Sequence, residues 1–95
     1  MNENLKKIGL GELCEAVLTL KTTDECAAFF DDLCTMTELR AMVQRLQVAK
    51  KLAGNEQYSK IVADTGVSTA TISRVNRCLQ YGGGGYKTVL ERLPK

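Results

Sequence analysis

Residues 57–79 read QYSKIVADTGVSTATISRVNRCL, and the fold turns on how this stretch is read. Ile61, Val62, Gly66, Val67, Ile72 and Val75 supply the apolar and glycine positions that a helix-turn-helix requires. Gly66 gives the tight turn a residue that tolerates positive φ, and Val67 plugs the angle between the two helices. The spacing predicts a helix near 57–64, a turn at Thr65-Gly66-Val67, and a second helix near 69–80 capped by Ser68. With Ile72, Val75 and Leu79 turned inward, Ala70, Ser73, Arg74 and Arg77 turn outward, and Thr69 lies at the N-terminal edge. That face carries two arginines and no carboxylate. It is narrow enough for a major groove, with small residues at its tip to let the backbone approach base edges. The expected DNA contacts are therefore Ser68, Thr69, Ala70, Thr71, Ser73, Arg74 and Arg77. A helical hairpin kept only for stability gives no reason for so acid-free a face.

Working upstream, Thr35-Met36-Thr37-Glu38 is a capping signal that opens the longest helix, roughly 36–53. Leu39, Met42, Val43, Leu46, Ala49 and Ala53 form one apolar stripe, while Ala41, Val48 and Leu52 lie nearly opposite. A helix that is apolar on two sides is packed on two sides. In a chain of 95 residues the second partner is expected to be another subunit. Gly54-Asn55 closes this helix. Before it, Thr22-Thr23-Asp24-Glu25 fits a capping box for a helix to about Leu33, with Cys26, Phe29, Phe30 and Leu33 inward. A first helix over about 10–20 places Leu13, Ala16, Val17 and Leu20 at helical spacing. Gly9 and Gly11 weaken any helix further upstream, so residues 1–9 are expected to be a loose arm. Downstream, Gly82-Gly83-Gly84-Gly85 forms a flexible joint, and a short helix near 87–93 ends at Pro94. The division is one domain: arm 1–9, dimerisation helices 10–53, helix-turn-helix 57–80, C-terminal helical segment 86–95. No strand signal is present, so the fold class is all-α with about six helices.

The net charge of +2 hides an uneven distribution. Residues 1–38 hold eight carboxylates against three lysines, a net of −5. Residues 39–95 hold ten cations against three carboxylates, a net of +7. A basic half beside an acidic half suits a polyanion-binding surface, because neutralised phosphates release their counterions. Scattered solvated charge would explain the same numbers, so charge alone does not decide.

Cys14, Cys26, Cys34 and Cys78 form no C-x-x-C pair, and the chain has no histidine. A thiol metal site is poorly supported, and no metal or cofactor is expected. Cys14, Cys26 and Cys34 sit on the predicted core faces, where a free cysteine behaves as a small hydrophobe. An enzyme would need one of them beside a lysine or glutamate as base, so enzymatic activity is not expected. No apolar run reaches membrane-spanning length and the start lacks a signal-peptide pattern, so the expectation is a reduced, cytoplasmic protein.

The stretch GVSTATISRV resembles the turn and recognition helix of many bacterial repressors. Val62 departs from that pattern, which usually carries alanine there. From Thr35 to Leu79 the chain resembles the Trp repressor family. Over its whole length it is similar to that family's TrpR-related YerC/YecD group, through LRAMVQRLQVAKKLAG and TGVSTATISRVNRCLQYGGGGY. The resemblance implies a six-helix chain intertwined with a second copy as a homodimer. It also implies two recognition helices about one DNA turn apart, on a roughly palindromic operator in double-stranded DNA.

The resemblance further implies an amino-acid pocket at Thr35, Arg45, Arg74, Val75 and Cys78. Val75 stands where the family has a glycine that admits an indole, and Cys78 replaces a serine that helps hold the ligand's amino group. An isopropyl group in that space opposes a large flat ring, so tryptophan is not expected to be the corepressor. Whether another small-molecule effector exists stays open, as does whether Arg74 serves ligand or DNA. The expected function is a DNA-binding transcription regulator, a repressor. The alternative is a protein-interaction module that uses the same motif to hold a transcription or replication partner.

Overall fold

A computed structural model describes residues 1–94 of the chain. Its elements are α1 (Glu3–Lys7), α2 (Leu10–Leu18), α3 (Thr23–Leu33), α4 (Met36–Ala53), α5 (Tyr58–Thr65), α6 (Thr69–Tyr81) and α7 (Gly85–Arg92). No strand occurs among the described residues, so the chain is all-helical as its periodicity implies. It divides into two compact units, Met1–Met36 and Thr37–Lys95.

In the first unit, the expectation of a loose arm over residues 1–9 is corrected. Asn2 accepts a hydrogen bond from the Leu5 N–H at 2.9 Å and caps the five-residue α1. Glu3 in its first turn and Lys6 and Lys7 in its last complement the helix dipole. The chain thus has seven helices among its described residues, where about six are expected from sequence. Helix α2 ends at Leu18, two residues short of the expected end, where the Thr19 hydroxyl donates to the Ala16 carbonyl at 2.7 Å. The capping box of α3 forms: the Glu25 N–H donates to Thr22 Oγ1 at 3.1 Å, and Glu25 Oε1 accepts from the Lys21 N–H at 2.8 Å. The rings of Phe29 and Phe30 meet at 5.9 Å.

No residue of α1, α2 or α3 is buried. Leu33, expected inward, is 50% exposed, and Ile8 and Leu18 are more open still. Cys14 is exposed rather than on a core face, whereas Cys26 and Cys34 are half-buried. The apolar spacing of these helices therefore builds no buried core among them.

Among the described residues the buried core lies in the second unit: Val48 and Ala49 of α4, Ile61 of α5, Val67, and Ile72 and Val75 of α6. Leu52, Val62, Leu79, Tyr86 and Leu90 pack around it. Only part of the α4 stripe is used. Val43 and Met42 on that helix stay exposed, while Leu39, Ala41 and Leu46 are half-buried. The terminal helix begins at Gly85 and stops at Arg92, one to two residues earlier at each end than expected. Lys95, at the end of the expected C-terminal segment, lies outside the described residues.

Candidate nucleic-acid interface

The turn between α5 and α6 is built from a short relay of hydrogen bonds. Gly66 adopts φ 72° and ψ 5°, and its N–H donates to the Val62 carbonyl at 2.8 Å, closing α5. The Thr65 hydroxyl donates to the Ile61 carbonyl at 2.6 Å and accepts from the Val67 N–H at 3.2 Å. Val67 is thereby pinned with its side chain in the core, 7% exposed, in the plug position read from the sequence. Ser68 then caps α6, its Oγ accepting from the Thr71 N–H at 3.2 Å and donating to Thr71 Oγ1 at 3.1 Å.

Below this turn an ionic cluster ties α5 to the end of α4. Lys51 lies 3.3 Å from Asp64 and 3.7 Å from Glu56. Lys60 lies 3.2 Å from Glu56 and 3.4 Å from Asp64. The hydrogen bond from Lys51, then that from Lys60, holds the Asp64 carboxyl below its ordinary value. The hydrogen bonds to Glu56 and Asp64 raise the Lys60 ammonium above its own. These contacts were not read from the sequence. The i,i+4 spacing of Glu56, Lys60 and Asp64 signals part of them, but Lys51 joins across thirteen residues.

With its inner side fixed by Ile72 and Val75, α6 presents Thr69, Ala70, Ser73, Arg74 and Arg77 to solvent. Ser68 is exposed too, but Ser68 and the half-buried Thr71 are joined in the cap. Ion pairs among the described residues use lysine as the cation, so Arg74 and Arg77 stay outside them. Such a face offers hydroxyls and small side chains at its leading end and two free guanidiniums behind, suited to base edges and phosphates.

Four of the five residues of the implied amino-acid pocket come together. Arg45 of α4 and Arg74, Val75 and Cys78 of α6 line one open cleft of about 340 Å³, completed by Thr71 and Tyr86. Val75 is only 1% exposed at the cleft wall. Thr35 belongs to the first unit. Tyr86 was missed in the sequence, and its signal is slight: one aromatic directly after four glycines. No group of three or more metal-binding side chains occurs among the described residues, and no described helix is long and apolar enough to cross a membrane.

An all-helical chain with a helix-turn-helix and an unpaired basic outer face has the architecture of a helix-turn-helix regulator. The chain belongs to the Trp repressor protein family, whose profile matches residues 9–94. That family is one of regulators rather than enzymes. The chain is 47% identical over 91 residues to the uncharacterized protein YerC of Bacillus subtilis, covering 96% of this chain and 88% of YerC. A crystal structure of a candidate Trp repressor from Staphylococcus aureus superposes with a TM-score of 0.87 at 46% identity, covering 96% of this chain and 94% of that one. A TrpR-like protein from Eubacterium eligens superposes with a TM-score of 0.88 at 46% identity, covering 99% and 100%.

Proposed function

We propose that this protein is a sequence-specific DNA-binding transcription regulator, acting as a repressor in the cytoplasm. It works as a homodimer and reads a palindromic operator in double-stranded DNA with the α6 of each copy. The observation that carries this reading is the outer face of α6. Arg74 and Arg77 are exposed and outside every described ion pair, on a helix whose opposite face is locked into the core. Thr69, Ala70 and Ser73 meet base edges, the Ser68–Thr71 cap fixes the helix end at the groove, and the two arginines take phosphate or guanine.

The homodimer is inferred from the first unit, which has apolar helices and no core of its own. Tryptophan is not the corepressor in this reading. Val75 stands at the cleft wall where the family's glycine leaves room for an indole, and the cleft remains a pocket that smaller effectors could enter. Selection of bound DNA from a random pool, by the purified protein without added ligand, tests the proposal. A palindromic site with affinity that falls steeply with salt is the expected result. Binding with no salt slope, or no enriched site, would favour the protein-interaction alternative.

A further inference from the structure

Tyr86 packs against the buried core and lines two cavities, yet the DNA-reading proposal makes no use of it. It stands at the second position of α7 and is half-buried. On one side it lines the cleft with Arg45, Arg74 and Val75. On the other it lines an apolar groove with Leu46, Cys78 and Val89. Tyr86 thus borders both cavities and packs on the cluster that joins α4 to α6. A tyrosine ring at such a junction contributes a large rigid contact area, while its polar tip reaches outward. No buried side-chain oxygen lacks a hydrogen-bond partner among the described residues, so the hydroxyl is not stranded in the core.

The glycine joint explains how the ring arrives there and why it matters. A Cβ at Gly82 would lie 2.5 Å from the Cys78 carbonyl oxygen, so the chain leaves α6 by a route open only to glycine. Gly84 then takes φ 85° as the residue before α7. Gly83 and Gly85 have open space where a Cβ would stand, and neither has a positive φ. Glycine at these two positions leaves the joint freer than its geometry demands, and ordering it costs backbone entropy. The packing of Tyr86 and Leu90 on the core has to offset that cost.

From this placement we infer that Tyr86 is a positioning residue for the recognition helix. It braces α6 against α4 beside Arg74, through the ring it packs on the core that those two helices share. The inference rests on the proposed DNA reading, and its test separates the two. The parent chain, Tyr86→Ala and Tyr86→Phe are compared for binding to the selected operator and to random duplex, and for amide exchange across residues 69–81.

Tyr86→Ala is expected to lose about tenfold or more in operator affinity, a small part of the usual gap between specific and nonspecific binding. Random-duplex affinity should hold within about twofold, since phosphate attraction depends on charge that is unaltered. Amides of α6 should exchange faster, and Tyr86→Phe should match the parent in every reading. If both affinities fall together with loss of helicity in Tyr86→Ala, Tyr86→Val carries the same comparison. The inference is overturned if the operator-to-random ratio is unchanged in the variant that stays folded, or if Tyr86→Phe fails like alanine. Should the parent itself select no site, the DNA reading fails separately, and α6 exchange alone decides: unchanged rates in the variant overturn the brace.

Discussion

Arg74 and Arg77 lie three residues apart on one helix face, yet their surroundings differ. Arg74 borders the cleft with Arg45, whereas Arg77 is not among the cleft's lining residues. Arg74→Ala and Arg77→Ala should each weaken DNA binding by about 1–3 kcal/mol while helicity and mass are unchanged. A base contact would relax preference at one operator position, and a phosphate contact would flatten the salt slope for all sequences. Gel-shift titrations over a salt series distinguish these, and wild-type affinity in both variants would show that α6 is not the reading helix. Val75 bears on the ligand question at the same scale. Titration calorimetry of the parent with millimolar tryptophan should give no binding heat, and operator affinity should not respond to it. Heat together with a tenfold tightening on DNA would overturn the steric reading of Val75. Individual residues were legible in the sequence where their role is local: Ser68 as a cap, Gly66 as the turn, Val67 as the plug. Tyr86 was not, because its role depends on where the glycine joint delivers it, and no spacing rule encodes that.

At the scale of the helices, the Lys51, Glu56, Lys60 and Asp64 cluster ties α5 to the end of α4. Asp64 has its folded pKa lowered by Lys51 and then Lys60, so its contribution is present above the ordinary value of 3.8 and lost as pH falls through the lower folded value. Lys60 has its folded pKa raised by Glu56 and then Asp64. Its contribution is present below 10.5 and lost as pH rises through the higher folded value. Thermal melts should therefore show this contribution between those limits, modest because the groups are exposed, and weaker in high salt. Asp64→Asn should diminish both the acid limb and the salt sensitivity; melts indistinguishable from the parent at pH 3 and pH 7 would remove the cluster from the account. The turn above it permits a cleaner test. A Cβ at Gly66 would meet nothing within 4 Å, so Gly66→Ala pays only for its left-handed backbone. The expected cost is about 1–2 kcal/mol in denaturant unfolding, and no loss would mean the turn relaxes to another conformation. Helix α1 is not legible in the sequence because Gly9 and Gly11 oppose a helix there, while the Asn2 cap and the charge order of Glu3, Lys6 and Lys7 are weak local signals.

At the scale of the whole molecule, the two units bury their apolar surface unequally. Among the described residues six form the core, and all lie in the second unit. The first unit has its helices capped and its apolar positions spaced, yet Ile8 is 76% exposed and Leu18 82%. Met36 and Val43 on α4 are likewise more than half exposed. Apolar side chains left so far in water contribute little to offset the entropy of ordering them. The two-sided apolar pattern of α4 signalled this in the sequence, but one chain holds the buried positions for only part of that pattern. A second copy is the partner that family membership and the unmet apolar faces both favour. If so, folding and association are one process, and stability depends on protomer concentration. Sedimentation at micromolar concentration should give about twice the chain mass of 10.4 kDa. The melting temperature should rise as concentration is raised from micromolar to hundreds of micromolar. Phe29→Ala should lower that temperature although Phe29 is only half-buried in the single chain, because the partner is expected to complete its burial. A well-folded monomer at micromolar concentration, with a melting temperature indifferent to dilution, would mean that α1, α2 and α3 are stable without a partner and that the two recognition helices are not coupled through them.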